Sequence, residues 1–192
     1  MSVLERIRAQ RVVAILRRVD DVDRAVDRLA AAGIDLVEIT LDSDGALDAI
    51  ARHPGCLAGT VRTVAQVDAA VAAGAAAIVS PAFVPAVVER ARELGVPAIP
   101  GALTPTEIER AWQAGASLVK LFPGRIGGPA YVGDVLQPLG DVPLIVTGGV
   151  SAENAADFLA AGAVAVAAGT SLLEPGAAER LVAAVRQGQT RV

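Results

Sequence analysis

One residue type is nearly missing from this chain of 192 residues: Lys120 is its only lysine, so the remaining 16 of its 17 basic residues are arginines. Cysteine, histidine, tryptophan, tyrosine and methionine also occur once each. A lone Cys56 excludes an internal disulfide and a cysteine-rich metal cluster, and a lone His53 excludes multi-histidine metal sites. No metal and no cofactor is therefore expected. Positive charge is not in excess either. A formal charge of −4 and a pI near 5.0 leave no electrostatic footprint for nucleic acid. No apolar run approaches the roughly 18 residues of a membrane span, and Met1 to Arg11 is charged where a signal peptide would be apolar. The cytoplasm is the expected location.

What the chain does have is aliphatic bulk. It is 53% hydrophobic and only 3% aromatic, so a core must be assembled from Ala, Val, Leu and Ile. At this length one domain, 1–192, is expected. The phrase Ala31-Ala32-Gly33 returns as Ala72-Ala73-Gly74, Gln113-Ala114-Gly115 and Ala160-Ala161-Gly162, each time just ahead of an apolar stretch. Such a phrase marks a helix end turning into a strand. Gly95 divides the interval between Gly74 and Gly115, giving a unit of roughly 20 residues, one strand plus one short helix.

On that grid the strands are Val12 to Leu16, Leu36 to Thr40, Cys56 to Thr60, Ala76 to Ser80, Ala98 to Pro100, Ser117 to Leu121, Leu144 to Thr147 and Ala163 to Ala168. Their near-continuous apolar character suits a parallel sheet covered on both faces. Thr63 with Gln66 and Thr104 with Glu107 fit capping boxes; Ser43 or Asp44 and Ser151 are candidate caps for two further helices. Eight such units predict an α/β fold, a (β/α)8 TIM barrel; an open doubly wound sheet is the alternative. Gly124 to Pro129 is the loosest stretch, and the chain after Glu174 reads as a final helix.

A barrel of this kind gathers its active site at the carboxyl ends of its strands. Arg17, Glu38, Thr40, Thr60, Arg62, Ser80, Lys120, Phe122, Thr147 and the Gly169-Thr170 pair fall there, while His53 and Cys56 fall at the opposite face. Lys120 lies within Leu118-Val119-Lys120-Leu121-Phe122. A neutral amine in such a place attacks a ketone to form a Schiff base, an electron sink for carbon–carbon cleavage; alternatively Lys120 only pairs with Glu38. Glu38, in the apolar run Leu36-Val37-Glu38-Ile39, must pair with a cation, Arg17 or Lys120, or carry protons, or both. "VTGGVS", Val146 to Ser151, offers backbone amides and a helix start to a phosphate, and "AAGTS", Ala167 to Ser171, offers a second donor loop. Asp42-Ser43-Asp44-Gly45 lacks the later ligands of a calcium loop and reads as helix capping. Trp112 reads as packing, and Arg125 in "GRIGG" as a solvent-exposed residue within reach of a substrate.

These motifs resemble, in order, those of the 2-keto-3-deoxy-6-phosphogluconate (KDPG) and 4-hydroxy-2-oxoglutarate aldolases: "VVAILR" from Val12, "VEITL" from Val37, "AGTV" from Ala58, "VSP" from Val79, "IPGALTPTE" from Ile99, "VKLFPG" from Val119 and "VTGGVS". The resemblance runs from about Met1 to Leu173. It implies a metal-free class I aldolase barrel, usually a homotrimer, that splits KDPG into pyruvate and glyceraldehyde 3-phosphate. By the same resemblance, Lys120 would be the Schiff-base lysine and Glu38 the general acid/base, relaying protons through a water. Arg17 and Thr60 would hold the keto-acid carboxylate; Phe122, Thr147 and Pro81 would shape the pocket; Gly148, Gly149, Gly169 and Thr170 would cradle the phosphate. Two departures stand out, Asp42 where some members carry the carboxylate-binding arginine, and Ala58 where glycine is usual. "TLDS" resembles the second loop of the 2-keto-3-deoxy-6-phosphogalactonate aldolases, so that substrate is the alternative. A non-covalent phosphate-binding isomerase or synthase, and a non-catalytic sugar-phosphate binder, are the competing functions.

Overall fold

The computed structural model describes residues 1–189. Nine strand segments follow one another as β1 (Val12–Leu16), β2 (Val37–Thr40), β3 (Leu57–Gly59), β4 (Ala77–Val79), β5 (Ala98–Ile99), β6 (Gly101–Ala102), β7 (Val119–Leu121), β8 (Leu144–Thr147) and β9 (Ala165–Ala168). Between and around them lie α1 (Val3–Gln10), α2 (Val22–Ala31), α3 (Ala46–Arg52), α4 (Val64–Ala72), α5 (Pro85–Glu93), α6 (Pro105–Gln113), α7 (Gly128–Leu136), α8 (Ala155–Ala160) and α9 (Ala177–Gln189). All strand pairs are parallel, in the order β5-β4-β3-β2-β1-β9-β8-β7-β6. The two ends of that order are adjacent in sequence. Pro100, which has no N–H for a ladder, ends the expected strand after β5, and a second short segment, β6, continues past it. The first segment pairs with β4, Ile78 opposite Ala98, and the second with β7, Gly101 opposite Lys120. A ring of eight units results, the (β/α)8 barrel that the repeat predicts.

Alternation along the strands sorts the core into two layers. Val13, Ile15, Leu36, Leu57, Ala77, Val79, Ile99, Leu118, Ile145, Ala165 and Ala167 form one buried cluster inside the ring. Their neighbours in sequence, among them Ala14, Leu16, Ile39, Ala58, Ile78, Val119 and Val146, belong to a second cluster against the helices. Ile7 of α1, fully buried, joins the inner cluster and closes one end of the barrel. Sequence reading treated Met1 to Arg11 only as charged chain, yet Ser2 and Glu5 form a reciprocal capping box that starts this helix.

The capping boxes at Thr63–Gln66 and Thr104–Glu107 are both present. The Glu107 carboxyl is held below its ordinary pKa by the backbone N–H groups of Thr104 and Leu103. Two other expected caps are corrected. Gly45, with φ of 65° and no side-chain bond, precedes α3 in place of Ser43 or Asp44. Ser43 instead accepts from the Arg18 N–H and meets the Thr40 hydroxyl, lacing the β1 and β2 loops together. Likewise α8 begins at Ala155, not at Ser151, because Asn154 accepts from the Ser151 N–H and donates to the Gly149 carbonyl, holding the loop open for one more turn.

Close packing of the ring depends on Gly101. A Cβ there would sit 2.2 Å from the Pro81 carbonyl oxygen, a backbone atom that cannot swing away. Gly101→Ala is expected to destabilise the fold by about 1–3 kcal/mol, the usual range for overpacking; a urea midpoint equal to that of the unaltered chain would refute the packing account.

Candidate active site

The inward rows that make the lower layers of the core supply the site when they are continued toward the carboxyl ends of the strands. Val13 and Ile15 lead to Arg17; Leu36 leads to Glu38, Leu57 to Gly59, Val79 to Pro81 and Ile99 to Gly101. Leu118 leads to Lys120 and Phe122, Ile145 to Thr147 and Gly149, and Ala165 and Ala167 to Gly169. Period-two alternation thus converts an aliphatic plug into a polar cup within two residues. Small residues on several rows leave the cup hollow. Its cavity of about 510 Å³ is lined by Arg17, Thr60, Pro81, Lys120, Phe122, Thr147, Gly148, Gly149, Gly169 and Thr170, and by Ile15, Arg125 and Ser171. Of the strand-end residues, Thr40, Arg62 and Ser80 do not line this wall, nor does Glu38; the other expected site residues do. A groove of about 580 Å³ on the outer side, between the β2–α3 loop and α4, has no basic side chain in its lining and offers no anion site.

Glu38 lies just beneath. Strands β2 and β7 are four places apart in a ring of eight, so Glu38 and Lys120 meet across its full width. Lys120 Nζ donates to Glu38 Oε1 at 3.4 Å and to Oε2 at 3.5 Å, with the two residues 6% and 2% exposed. Gly59 makes the meeting possible, since a Cβ at that position would lie 2.2 Å from Glu38 Oε1. Above the amine, the Phe122 ring centroid is 5.8 Å from Nζ, within cation–π range. Thr147 Oγ1 is, among the described residues, a buried side-chain oxygen with no hydrogen-bond partner, on the wall of the same cavity. Leaving such a group unpaired costs about 1–3 kcal/mol, so it is poised to meet a polar ligand atom.

Arg17 pairs not with Glu38 but with Asp42, its Nη1 lying 3.0 Å from Oδ2, while its Nη2 donates to Thr60 Oγ1 at 3.0 Å. Thr60 has φ of 59°, a left-handed conformation rare for a β-branched residue and typical of functional sites. Sequence reading noticed Asp42 as a departure but not as the partner of Arg17, because nothing local links β1 to the end of β2. Arg125 proves both exposed and part of the cavity wall. Across the cavity stand the two glycine loops, Gly148 to Val150 and Gly169-Thr170.

His53 and Cys56 stay away from this wall, as their sequence positions imply. His53 Nε2 lies 2.6 Å from Asp23 Oδ1, and that bond, followed by one from Arg52, holds the Asp23 carboxyl below its ordinary pKa.

A sequence model of the family described as KDPG and KHG aldolase matches residues 3–185. The chain belongs to the KDPG and KHG aldolase family. A 2-dehydro-3-deoxy-phosphogluconate aldolase of Treponema pallidum is 42% identical over 164 residues, 82% of this chain and 78% of that protein. A probable 2-dehydro-3-deoxy-6-phosphogalactonate aldolase of Rhizobium meliloti is 38% identical over 175 residues, covering 86% and 82%. A solved structure described as native KDPGal superimposes with a TM-score of 0.83 at 32% identity, covering 93% of this chain and 96% of the other. The aldolase family is one of lyases, and a buried primary amine beside a carboxylate is a group pair able to make and break imines.

Cys56 is the chain's only thiol, and burial pushes it up to about 11. It should resist iodoacetamide at pH 8 in the folded protein and react once urea unfolds the chain; rapid alkylation of the native protein would contradict this burial.

Proposed function

We propose that this protein is a class I aldolase that splits KDPG into pyruvate and glyceraldehyde 3-phosphate, with 4-hydroxy-2-oxoglutarate as a second substrate. The observation that carries this reading is the placement of the chain's single lysine, its amine in contact with Glu38 at the floor of a cavity whose wall gathers Arg17, Thr60 and two glycine loops. Membership of the family supports the reaction class.

In this reading Lys120 passes a proton to Glu38 and attacks the keto carbon of the substrate as a neutral amine. Glu38 returns that proton to the carbinolamine hydroxyl, which leaves as water, giving an iminium in which nitrogen accepts electrons and a carboxylate ready for the next transfer. Glu38, which does not itself line the cavity, takes the proton of the C4 hydroxyl through a water. The C3–C4 bond then breaks toward the iminium, the aldehyde leaves, and the enamine takes a proton back at C3 before hydrolysis frees pyruvate and restores the amine. Arg17 and Thr60 hold the keto-acid carboxylate, the guanidinium by charge-assisted bonds. Phe122, Pro81 and Thr147 confine the reacting carbons, and the partnerless Thr147 hydroxyl suits the carbinolamine oxygen. Gly148, Gly149, Gly169 and Thr170 take the phosphate on backbone amides. The phosphogalactonate substrate is the second reading, favoured by the relative of that name and by the Asp42-Ser43 loop; the ratio of turnover on the two epimers decides between them. A homotrimer is inferred from the family resemblance, and the cytoplasm is the proposed location. Among the described residues no helix is long and apolar enough to cross a membrane.

Incubation with pyruvate and borohydride should add one pyruvyl-derived mass to Lys120, located by peptide mapping. A folded protein that stays unmodified would favour a non-covalent isomerase or a binding protein. Lys120→Arg should lower turnover at least about a thousandfold, as removal of a covalent nucleophile does. Gly59→Ala should cost about a hundredfold in kcat by displacing the Glu38 carboxylate about an ångström, with the melting curve keeping its cooperativity; unchanged kcat would remove Glu38 from the proton-transfer role.

A further inference from the structure

Three cations, Arg17, Lys120 and Arg125, stand on the cavity wall, and no carboxylate does. Two of the three have a carboxylate partner, Arg17 in Asp42, which also lies 3.7 Å from Arg18, and Lys120 in Glu38. Arg125 has no carboxylate partner among the described residues. The uncompensated charge of the site therefore belongs to Arg125. Its place is fixed through the backbone. Arg125 N donates to the Gly148 carbonyl at 2.8 Å, and a Cβ on Gly149 would lie 2.6 Å from the Arg125 Cβ, so the short 3-10 turn Gly124–Ile126 is seated directly on the Gly148-Gly149 loop.

Glycine loops bind any anion of suitable size, but weakly discriminate between a phosphate ester and water, because each amide carries only a partial charge. A guanidinium adds a full charge and a planar fork matched to phosphate oxygens. We propose that Arg125 folds over the phosphate end of the substrate and is the residue that makes the site prefer phosphorylated keto acids to unphosphorylated ones. The inference rests on the aldolase reading above and adds to it the source of its phosphate selectivity. Arg17 is not available for this purpose, since it stands beside Asp42 and Thr60 and is assigned above to the keto-acid carboxylate at the other end of the substrate.

The test compares kcat/KM for KDPG with kcat/KM for 4-hydroxy-2-oxoglutarate in the unaltered protein and in Arg125→Gln. Loss of a charge-assisted contact predicts that the ratio of the two falls about tenfold or more, through KM for the phosphorylated substrate. A fall of less than about fivefold overturns the inference, whatever the absolute rates, while leaving the aldolase reading intact. If the unaltered protein splits neither substrate, the aldolase reading fails separately, and the inference is judged on calorimetric titration with inorganic phosphate. Weaker binding by Arg125→Gln then upholds it, and equal binding overturns it.

Discussion

The contact between Lys120 and Glu38 sets the terms for the rest of the barrel. A lone ammonium or carboxylate at this depth would be untenable, and removing one member of a buried pair costs about 3–5 kcal/mol because the other is stranded. The two residues come from opposite sides of the ring and meet only because its bore is narrow. Eight strands give a bore that side chains just fill, which is the width at which two long side chains touch across the diameter. Gly59 removes the one obstruction beside Glu38, and Leu57, Ile145 and Leu118 in the layer below keep water from reaching the pair from underneath.

Asp42 does for Arg17 what Glu38 does for Lys120. Each cation of the cavity floor and inner wall stands beside an acid, Asp42 being shared between Arg17 and Arg18, so the positive charge of the site is reduced. A site built this way holds its cations in fixed directions before a ligand enters, and a substrate anion competes with or joins an existing partner. That arrangement favours orientation over raw attraction. It also directs net attraction to Arg125, the wall cation that has no acid partner among the described residues, at the mouth.

Much of this was legible in the sequence because it depends on local periodicity. Ala-Gly junctions marked the strand starts, the repeat length counted eight units, and the strand ends named Arg17, Thr60, Lys120, Phe122, Thr147 and Gly169 of the cavity wall, together with Thr40, Arg62 and Ser80, which lie off it. What escaped depends on contacts between distant segments. Nothing adjacent to Asp42 announces Arg17, 25 residues earlier, and Ser43, a candidate cap by residue type, does not cap α3 because its hydroxyl bonds to the Arg18 N–H across the sheet and to the Thr40 hydroxyl. Ser151 misled in a similar way: Asn154, three residues on, captures its N–H and delays the helix. The break at Pro100 ended one expected strand and left a second short segment past it without changing the ring, since the two segments serve different neighbours. Glu38 was read correctly as buried, but only the width of the barrel shows that it sits below the cavity and reaches the substrate side through Lys120 or a water.

The division of labour along each inward row explains why stability and chemistry coexist in so small a barrel. Within one row, a side chain that packs and a side chain that reacts are two residues apart. The packing layers carry aliphatic groups that are almost wholly buried, whereas the site layer above them gathers features that lower stability: a threonine at positive φ, a buried hydroxyl without a partner, a charged pair out of water and several glycines. Such features persist only where surrounding structure overrides them. Here the override is the ring itself, because every strand but β5 and β6 is fixed by ladders to two neighbours and cannot relax alone. Substitutions that ease the site layer, such as filling a glycine or pairing the Thr147 hydroxyl, would therefore add contacts at the expense of the hollow that a substrate must occupy.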